Sequence, residues 1–453
     1  MAIQLQDRTE RKLPTGSFTP VRIIEIELAQ TDLPVIAAID EQSQRDYRQA
    51  LCVVRLHTYP VGIVEVALPP GGLEPSQYLP IIWQALKERI NSHLQQDGFP
   101  MIETLPLCGP TIEGTAPCIE AREHFVDHPD TPFVSVIVPT HDRPTRLANC
   151  LRALVGLHYP HFEIIVVDNA PSDNATADLV QQEFASHPLI RYVREEQQGV
   201  SWARNCGMWM ARGSILAFVD DDVVVDQYWL VEMVRPFTLF KDVACVSGLV
   251  LPLKLDTPAQ LWFEAYGGFN RGFVRKLFDL KDHRDPSFVY PYHAGALGAG
   301  GGSMAFTAQF LLGKGGFDTV LGGNGAIRSG EDMEVFFQVI KQGHILVYEP
   351  AAMAYHLHRT DYAALCKQIR GYGMSLSGYL TKCIIDDPLL LMDLLPRIPY
   401  GLLCMVLAKL KQNARFQRHK QGQGYPQELT TIELKGLLAG PFAYVKSLQQ
   451  AKK

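Results

Sequence analysis

The chain has 453 residues, of which 47% are hydrophobic and 20% are charged, a composition typical of folded globular proteins rather than disordered chains. Its net charge of −6 does not attract the phosphate backbone of a nucleic acid, so we expect no nucleic-acid partner. The nine cysteines include no C-x-x-C pair, so their spacing indicates neither a zinc nor a redox site, and their odd number does not favour a disulfide framework.

The first unit predicted along the chain is a small α+β domain over residues 1–110. Its first ten residues lack the apolar segment of a signal peptide, and we expect a cytoplasmic protein. A strand near 21–28, a hairpin over 51–68 and a helix over 78–94 are predicted. The helix pattern places Ile81, Ile82, Leu86 and Ile90 on one face. No catalytic constellation is visible here, and a linker over 111–132 follows.

The second unit, residues 133–360, alternates short apolar strands with amphipathic helices. This order predicts an α/β fold built from parallel βαβ units. Thr140, Asp168 and Asp220 each follow a predicted buried strand. Because the carboxyl ends of parallel strands meet at one edge of a sheet, the three residues are expected to converge on one ligand-binding crevice.

An acidic triplet, Asp220-Asp221-Asp222, ends the strand predicted at 215–219. An unpaired carboxylate is too costly to bury, so the triplet is expected at the strand's end. A divalent cation would relieve the repulsion, and Mg²⁺ or Mn²⁺ prefers such oxygen ligands and commonly grips nucleotide phosphates. A solvated acidic loop is the alternative for the triplet taken alone.

Several segments together resemble the family 2 glycosyltransferases of GT-A fold. These are VSVIVPT at 134–140, VVDNAPSD at 166–173, GVSWARNCG at 199–207 and FVDDD at 218–222. Downstream, GGGSMAF at 300–306, GGFD at 315–318 and GEDME at 330–334 are similar to the family's acceptor-side motifs. The resemblance implies a Rossmann-like nucleotide-diphospho-sugar transferase domain.

The same resemblance implies the site residues and the chemistry. The residues expected to bind the nucleotide sugar are Pro139, Thr140, Asp168, Arg204, Asn205, Asp220 and Asp221. Asp222 and Asp220 are the expected ligands of Mn²⁺ or Mg²⁺, and His356 is a third candidate, although a merely hydrogen-bonded histidine is the alternative. Asp332 is the expected general base of an inverting transfer to a glycan or lipid-linked hydroxyl. Without that context it would be an ordinary helix-start carboxylate.

The third unit, residues 361–453, is predicted to be helical. Residues 388–410 are strongly apolar, but Asp393, Pro396, Arg397 and Pro399 interrupt them, so a clean membrane span is not predicted. Basic residues follow, namely Lys409, Lys411, Arg415, Arg418 and Lys420. The helices either lie on an anionic membrane surface or pack on the catalytic domain.

Two other functions compete with a glycosyltransferase. A sugar-phosphate nucleotidyltransferase also uses paired acids on an α/β sheet, but it needs a glycine-rich triphosphate loop that is missing after the first strand of the second unit. A non-catalytic nucleotide-sugar binding module would need Asp222 but not Asp332.

Overall fold

A computed structural model describes residues 18–41, 43–107, 109, 114–418 and 425–452. The side chains of the predicted basic flank lie outside the described part of the chain.

The N-terminal unit is a three-stranded sheet covered by one helix. Strands β1 (Val21–Glu27), β2 (Gln49–Leu56) and β3 (Tyr59–Ala67) lie in that order, with β1 parallel and β3 antiparallel to β2. Helix α1 (Pro75–Gln96) buries Ile82, Leu86 and Ile90 against the sheet. Ile81 was predicted on that face but is 41% exposed, because the helical repeat turns it away from its neighbour Ile82.

The segment predicted as a linker contains helix α2 (Pro117–Val126). Pro117 stands in the first turn of this helix, where its missing N–H costs nothing. Arg122 of α2 is buried, and its guanidinium lies 3.6 Å from the ring centroid of Tyr228. Thus α2 packs against the next unit.

The second unit is built on a nine-stranded mixed sheet of order β10-β12-β9-β11-β7-β4-β5-β6, with β8 paired to β12. Its strands are β4 (Val134–Thr140), β5 (Phe162–Asn169), β6 (Ile190–Glu195), β7 (Ile215–Phe218), β8 (Val223–Val225), β9 (Val243–Pro252), β10 (Lys276–Phe278), β11 (Met304–Thr307) and β12 (Ile345–His356). The pairs β4–β5, β5–β6, β4–β7 and β9–β12 are parallel. The α/β prediction is confirmed.

Helices cover both faces of this sheet. They are α3 (Pro144–Val155), α4 (Ala175–Glu183), α5 (Val200–Met210), α6 (Trp229–Leu239), α7 (Pro258–Tyr266), α8 (Ala308–Lys314) and α9 (Glu331–Lys341). Val136 packs in the core that includes α3 and α6, whereas its neighbour Ile137 packs in the core that includes α5 and α9. Both faces are buried, which explains why the strands are continuously apolar.

The C-terminal region is helical, as predicted, and packs on the second unit. It comprises α10 (Tyr362–Asp386), α11 (Leu390–Leu394), α12 (Arg397–Arg418) and α13 (Glu428–Ala451). Tyr379 of α10 and Tyr444 of α13 are buried in the same core as α9. Helices α10 and α13 approach so closely at Gly436 that a Cβ on this residue would lie 2.2 Å from the Arg370 carbonyl oxygen. Among the described residues, no helix combines the length and the apolar character needed to cross a membrane.

Candidate active site

The carboxyl ends of β4, β5 and β7 open into a cleft of about 1240 Å³. Most of the predicted site residues line it, namely Pro139, Thr140, Arg204, Asp220, Asp221, Asp222, Asp332 and His356. The convergence follows from register, since Thr140 and Asp168 are paired positions on parallel strands. The sheet therefore brings these distant segments of the chain to one place.

Two predicted residues stand behind the cleft wall. Asp168 is fully buried, accepts a hydrogen bond from the Tyr192 hydroxyl at 2.7 Å, and has a pKa raised by burial. Asn205 is not among the lining residues, because its amide is paired with the backbone N and O of Phe317 at 2.8 and 2.9 Å. Asn205 therefore positions the GGFD segment in this structure.

The three acids of the triplet have different surroundings. Asp221 is buried and accepts from the Thr140 hydroxyl at 2.8 Å, and burial together with the charge of Asp222 raises its pKa to about 6. Asp220 is the most exposed of the three and accepts from Nη2 of Arg204 at 2.9 Å. The middle acid therefore anchors the triplet to β4, while its neighbours face the cleft.

Asp222 is surrounded by positive or polar groups. One oxygen lies 3.3 Å from Nη1 of Arg146 and 3.6 Å from Nη1 of Arg143, and Arg359 lies within 3.9 Å. The other oxygen lies 3.4 Å from Nε2 of His356. Burial alone would raise the pKa of Asp222, but the hydrogen bond from His356 and the arginine charges hold it well below the usual range. Asp222 is thus ionised and faces His356.

His356 is held by a chain of hydrogen-bonded side chains, called here the His356 relay, which runs through His358 to Glu264. As the last residue of β12 it pairs with Val223 of β8, one residue beyond Asp222. Its Nδ1 lies 2.8 Å from Nδ1 of His358, and Nε2 of His358 lies 2.7 Å from Glu264. Metal-binding histidines are typically oriented by a partner on the other ring nitrogen.

Two of the three predicted metal ligands lie together in this structure. Asp222 and His356 face each other at a separation suited to two neighbouring ligands of one ion. Asp220 is instead turned to Arg204, so this structure does not bring all three predicted ligands together. Mg²⁺ and Mn²⁺ sites commonly use one or two protein ligands and complete the shell with water and substrate phosphate oxygens. The residues present therefore fit such an ion.

Arg204 connects the triplet with the first turn of α9. It is buried, and its Nη1 donates to Glu331 at 2.5 Å while its Nη2 donates to Asp220. Burial raises the pKa of Glu331 to about 7, against the opposing charge of Arg204. Glu331 was missed as a site residue, although it stands directly before Asp332 in the sequence.

Asp332 opens into the cleft from the first turn of α9. Its Oδ1 accepts from the Met333 backbone N–H at 2.8 Å, and burial raises its pKa despite Arg204. The backbone of the GGG segment lies against it, since a Cβ on Gly300 would sit 2.1 Å from Oδ2 of Asp332. A carboxylate with a raised pKa in a cleft suits a general base.

Sequence reasoning missed two other parts of the cleft. Arg143 and Arg146, directly after β4, line it, and two arginines one turn apart at a helix start were the available signal for an anion site. Helix α10, which was assigned to a separate region, contributes Lys367 and Tyr372. Nothing in the sequence places α10 against the cleft.

Comparison with known proteins agrees with this geometry. Residues 135–288 match the family model "Glycosyl transferase family 2". The glycosyltransferase AglE of Haloferax volcanii is 39% identical over 101 residues, which are 22% of this chain and 33% of AglE. The glucosyl-dolichyl phosphate glucuronosyltransferase of the same organism is 22% identical over 268 residues, 56% of this chain and 80% of that protein.

Among solved structures, the mannosyltransferase PcManGT from Pyrobaculum calidifontis in complex with GDP-Man and Mn²⁺ aligns with a TM-score of 0.43 at 19% identity. That alignment covers 74% of this chain and 92% of the other. This chain spans only a third of AglE's length. The family match identifies residues 135–288 as a family 2 glycosyltransferase domain, and the mixed sheet with the acidic triplet at the end of β7 agrees with the GT-A fold expected for such a domain.

Proposed function

We propose that the chain is a metal-dependent inverting glycosyltransferase that moves a sugar from a nucleotide-sugar donor to a hydroxyl of a glycan or lipid-linked acceptor. The observation that carries this proposal is a single cleft that holds an ionised carboxylate beside His356 and a second carboxylate, Asp332, with a raised pKa. The family match supports the same reaction class.

The donor would lie at the carboxyl edge of the sheet. Pro139 and Thr140 line the cleft at the end of β4, where a nucleoside can pack. Arg143 and Arg146 stand beside Asp222, and their guanidinium groups suit the oxygens of a diphosphate. Asp168 and Asn205 do not line the cleft, and their role would be to position the strands and loops that contact the donor.

Asp222 and His356 would hold Mn²⁺ or Mg²⁺, and Asp220 would join them if Arg204 released it. The ion, when bound, would offset the charge that grows on the departing diphosphate. The arginines beside Asp222 would offset the same charge from the protein side.

The transfer itself needs a base that takes the proton from the acceptor hydroxyl. The acceptor oxygen forms a bond to the anomeric carbon, the bond from that carbon to the diphosphate oxygen breaks, and the hydroxyl proton passes to Asp332. Such a base contributes about 10²–10⁴-fold to the rate. A single displacement of this kind inverts the anomeric centre. Arg204 and Glu331 would fix the position of Asp332 relative to the donor.

A donor screen tests the reaction. The full chain would be incubated with a panel of nucleotide sugars, a set of acceptors and Mn²⁺ or Mg²⁺, and release of nucleoside diphosphate would be followed with and without EDTA. We expect metal-dependent release from one donor, lost in Asp222→Asn and Asp332→Asn. Asp130→Asn is the matched control, because the Asp130 side chain is 91% exposed.

Two results would contradict the proposal. If release were insensitive to EDTA, the reaction would not depend on a metal. If activity survived Asp332→Asn, Asp332 would not be the general base. Pyrophosphate formed from a nucleoside triphosphate and a sugar phosphate would instead identify a nucleotidyltransferase.

We also propose that the C-terminal helices touch a membrane that carries the acceptor. Large apolar side chains of α11, α12 and the preceding turn are exposed, namely Leu389, Met392, Leu395, Leu403 and Leu407. Arg397 at the start of α12 donates to the Phe288 carbonyl at 2.9 Å, which ties this helix to the catalytic unit. An apolar surface of this kind suits the headgroup boundary of a bilayer.

Liposome flotation tests this contact. Vesicles containing anionic lipid should carry the wild-type chain upward, whereas a Leu389→Gln/Met392→Gln variant should stay below. Met101→Gln is the control, since Met101 is 62% exposed in the N-terminal unit. Equal flotation of all three proteins, or none, would rule out this surface as the contact.

A further inference from the structure

A cluster of potential metal ligands lies in the N-terminal unit, away from the cleft. Its members, called here the His–Asp–Cys cluster, are His57, His93, Asp97 and Cys118. Across the described ranges of the chain, this is the one group in which three or more such side chains bring their ligand atoms within 4.8 Å of one another. His57 and Asp97 are buried and the other two are half-buried.

The four ligand atoms all lie within 4.8 Å of one another. Oδ2 of Asp97 lies 2.7 Å from Nδ1 of His57, 3.0 Å from Sγ of Cys118 and 3.4 Å from Nε2 of His93. The two histidine nitrogens lie 3.2 Å apart. Ligands about 2.0–2.3 Å from a tetrahedral zinc ion lie about 3.3–3.6 Å from one another. To hold the ion, the closest pair, Asp97 and His57, would need to open by about 0.6 Å, whereas the two contacts of His93 already have about the required length.

Three separate elements supply these ligands. His57 stands in the two-residue turn between β2 and β3, where both it and Thr58 have positive φ values of 53° and 70°. His93 and Asp97 are four residues apart at the end of α1, so they share one face of that helix. Cys118 stands in the first turn of α2. The spacing in sequence is therefore unlike the short C-x-x-C pairs of familiar zinc sites.

We propose that the His–Asp–Cys cluster binds one Zn²⁺ ion as a structural site. Two imidazoles, one carboxylate and one thiolate are ligands that zinc accepts, and the soft sulfur disfavours Mg²⁺ and Ca²⁺. Four protein ligands close a tetrahedral shell and leave no open position for a substrate, which is the arrangement of structural rather than catalytic zinc.

The ion would fasten α2 to the N-terminal unit. Arg122 of α2 donates to Thr58 of the N-terminal unit at 2.8 Å. The same side chain reaches the catalytic unit, because it lies 3.6 Å from Glu232 of α6 and stacks on Tyr228. A zinc-closed cluster would thus fix the helix that joins the two units. Without the ion, the same side chains can form only a hydrogen-bonded network centred on Asp97.

Metal analysis of the full chain tests the proposal. The protein would be expressed with zinc in the medium, purified under reducing conditions and measured by inductively coupled plasma mass spectrometry. We expect one zinc per chain in the wild type and in Asp222→Ala, which alters only the cleft. Cys118→Ser should lose most of the zinc, whereas Cys366→Ser, at another half-buried free cysteine, should keep it.

Cobalt substitution gives a readout that does not depend on any variant folding. Wild-type chain stripped with a chelator and loaded with Co²⁺ should show the intense visible bands of tetrahedral cobalt and a thiolate-to-cobalt charge-transfer band. Zinc should also raise the Tm of the wild type but not that of Cys118→Ser. A wild type that holds no more zinc than Cys118→Ser, or a cobalt complex without the thiolate band, would overturn the proposal.

Discussion

His358 contacts His356 on the side of the ring opposite Asp222, with the Nδ1 atoms of the two rings 2.8 Å apart. The far nitrogen of His358 is fixed on Glu264 at 2.7 Å, so the ring of His356 presents Nε2 to Asp222. Burial lowers the pKa of His358, which favours a neutral ring in the relay. His358 is therefore a positioning residue for the proposed cation site.

Replacing His358 by Phe should weaken metal activation rather than abolish transfer. The aromatic ring would still pack against Phe263, whose centroid lies 4.6 Å away, but the hydrogen bond to His356 would be lost. Loss of such partners costs about 10–100-fold in metal affinity. We expect the Mn²⁺ concentration for half-maximal activity to rise by that factor, with most activity restored at saturation. His128→Phe, at a half-exposed ring, is the control. An unchanged activation curve would show that the relay does not orient a ligand.

Arg204 should be needed for stability as well as for activity. It is 3% exposed and neutralises both Asp220 and the buried Glu331. Removing one partner of a buried ion pair leaves an uncompensated charge and costs about 3–5 kcal/mol. Arg204→Met should therefore lower the free energy of unfolding by about this amount in urea titrations, and adding Glu331→Gln should recover part of it.

The surface pair of Arg152 and Glu183 provides the matched comparison. Both side chains are about half exposed although their atoms are 2.7 Å apart. Exposed pairs of this kind contribute about 0–1 kcal/mol. If Arg204→Met cost no more than Arg152→Met, the buried bridge would not support the fold in the way that its geometry indicates.

The pH dependence of activity should reflect Asp332. It must be ionised to accept a proton, and burial raises its pKa above that of an ordinary aspartate. The value of kcat/KM is therefore expected to fall as pH is lowered through that raised pKa, above the usual midpoint near about 4. Pre-steady-state or initial-rate measurements across pH would show this limb. A rate that stayed constant down to about pH 4 would exclude Asp332 as the base.

Unfolding measurements across pH distinguish the fall in kcat/KM at low pH from a loss of folded structure. Burial raises the pKa of Glu331 to about 7, so its contribution to stability is present below its unfolded pKa and is lost as pH rises through about 7. The sign is opposite to that of the activity limb. Glu331→Gln should remove this part of the pH dependence of stability.

Much of the cleft could be predicted because it depends on local patterns. Continuous apolar strands that end in Thr140 and Asp220 mark the carboxyl edge of a parallel sheet, whatever lies elsewhere in the chain. Pairing in register then brought them together, as β4 with β7 and β5 shows. The start of α9 at Glu331 was predictable in the same way, from glycine followed by acids.

The parts that escaped prediction depend on contacts between distant segments. Whether Asp168 faces the cleft or Tyr192 is decided by the packing of β6 beside β5, which no spacing reveals. Helix α10 lines the cleft and also packs closely on α13, and local spacing reveals neither contact. The His–Asp–Cys cluster likewise needs a turn, a helix end and the predicted linker to meet in space.

The last prediction concerns the close contact between Gly301 and the Arg204–Asp220 bridge. A Cβ on Gly301 would lie 2.0 Å from Nη2 of Arg204 and 2.8 Å from Oδ2 of Asp220. Arg204 cannot move aside easily, since its other nitrogen is held by Glu331 at 2.5 Å. Gly301→Ala should therefore displace the bridge and, through it, the geometry of the cleft. A misplacement of about 1 Å can cost about 10²-fold in rate, so we expect a loss of that order in kcat/KM. Gly313→Ala, where a Cβ meets no atom within 4 Å, should leave the rate unchanged. Equal activity of both variants would mean that the glycine segment is not held against the bridge during turnover.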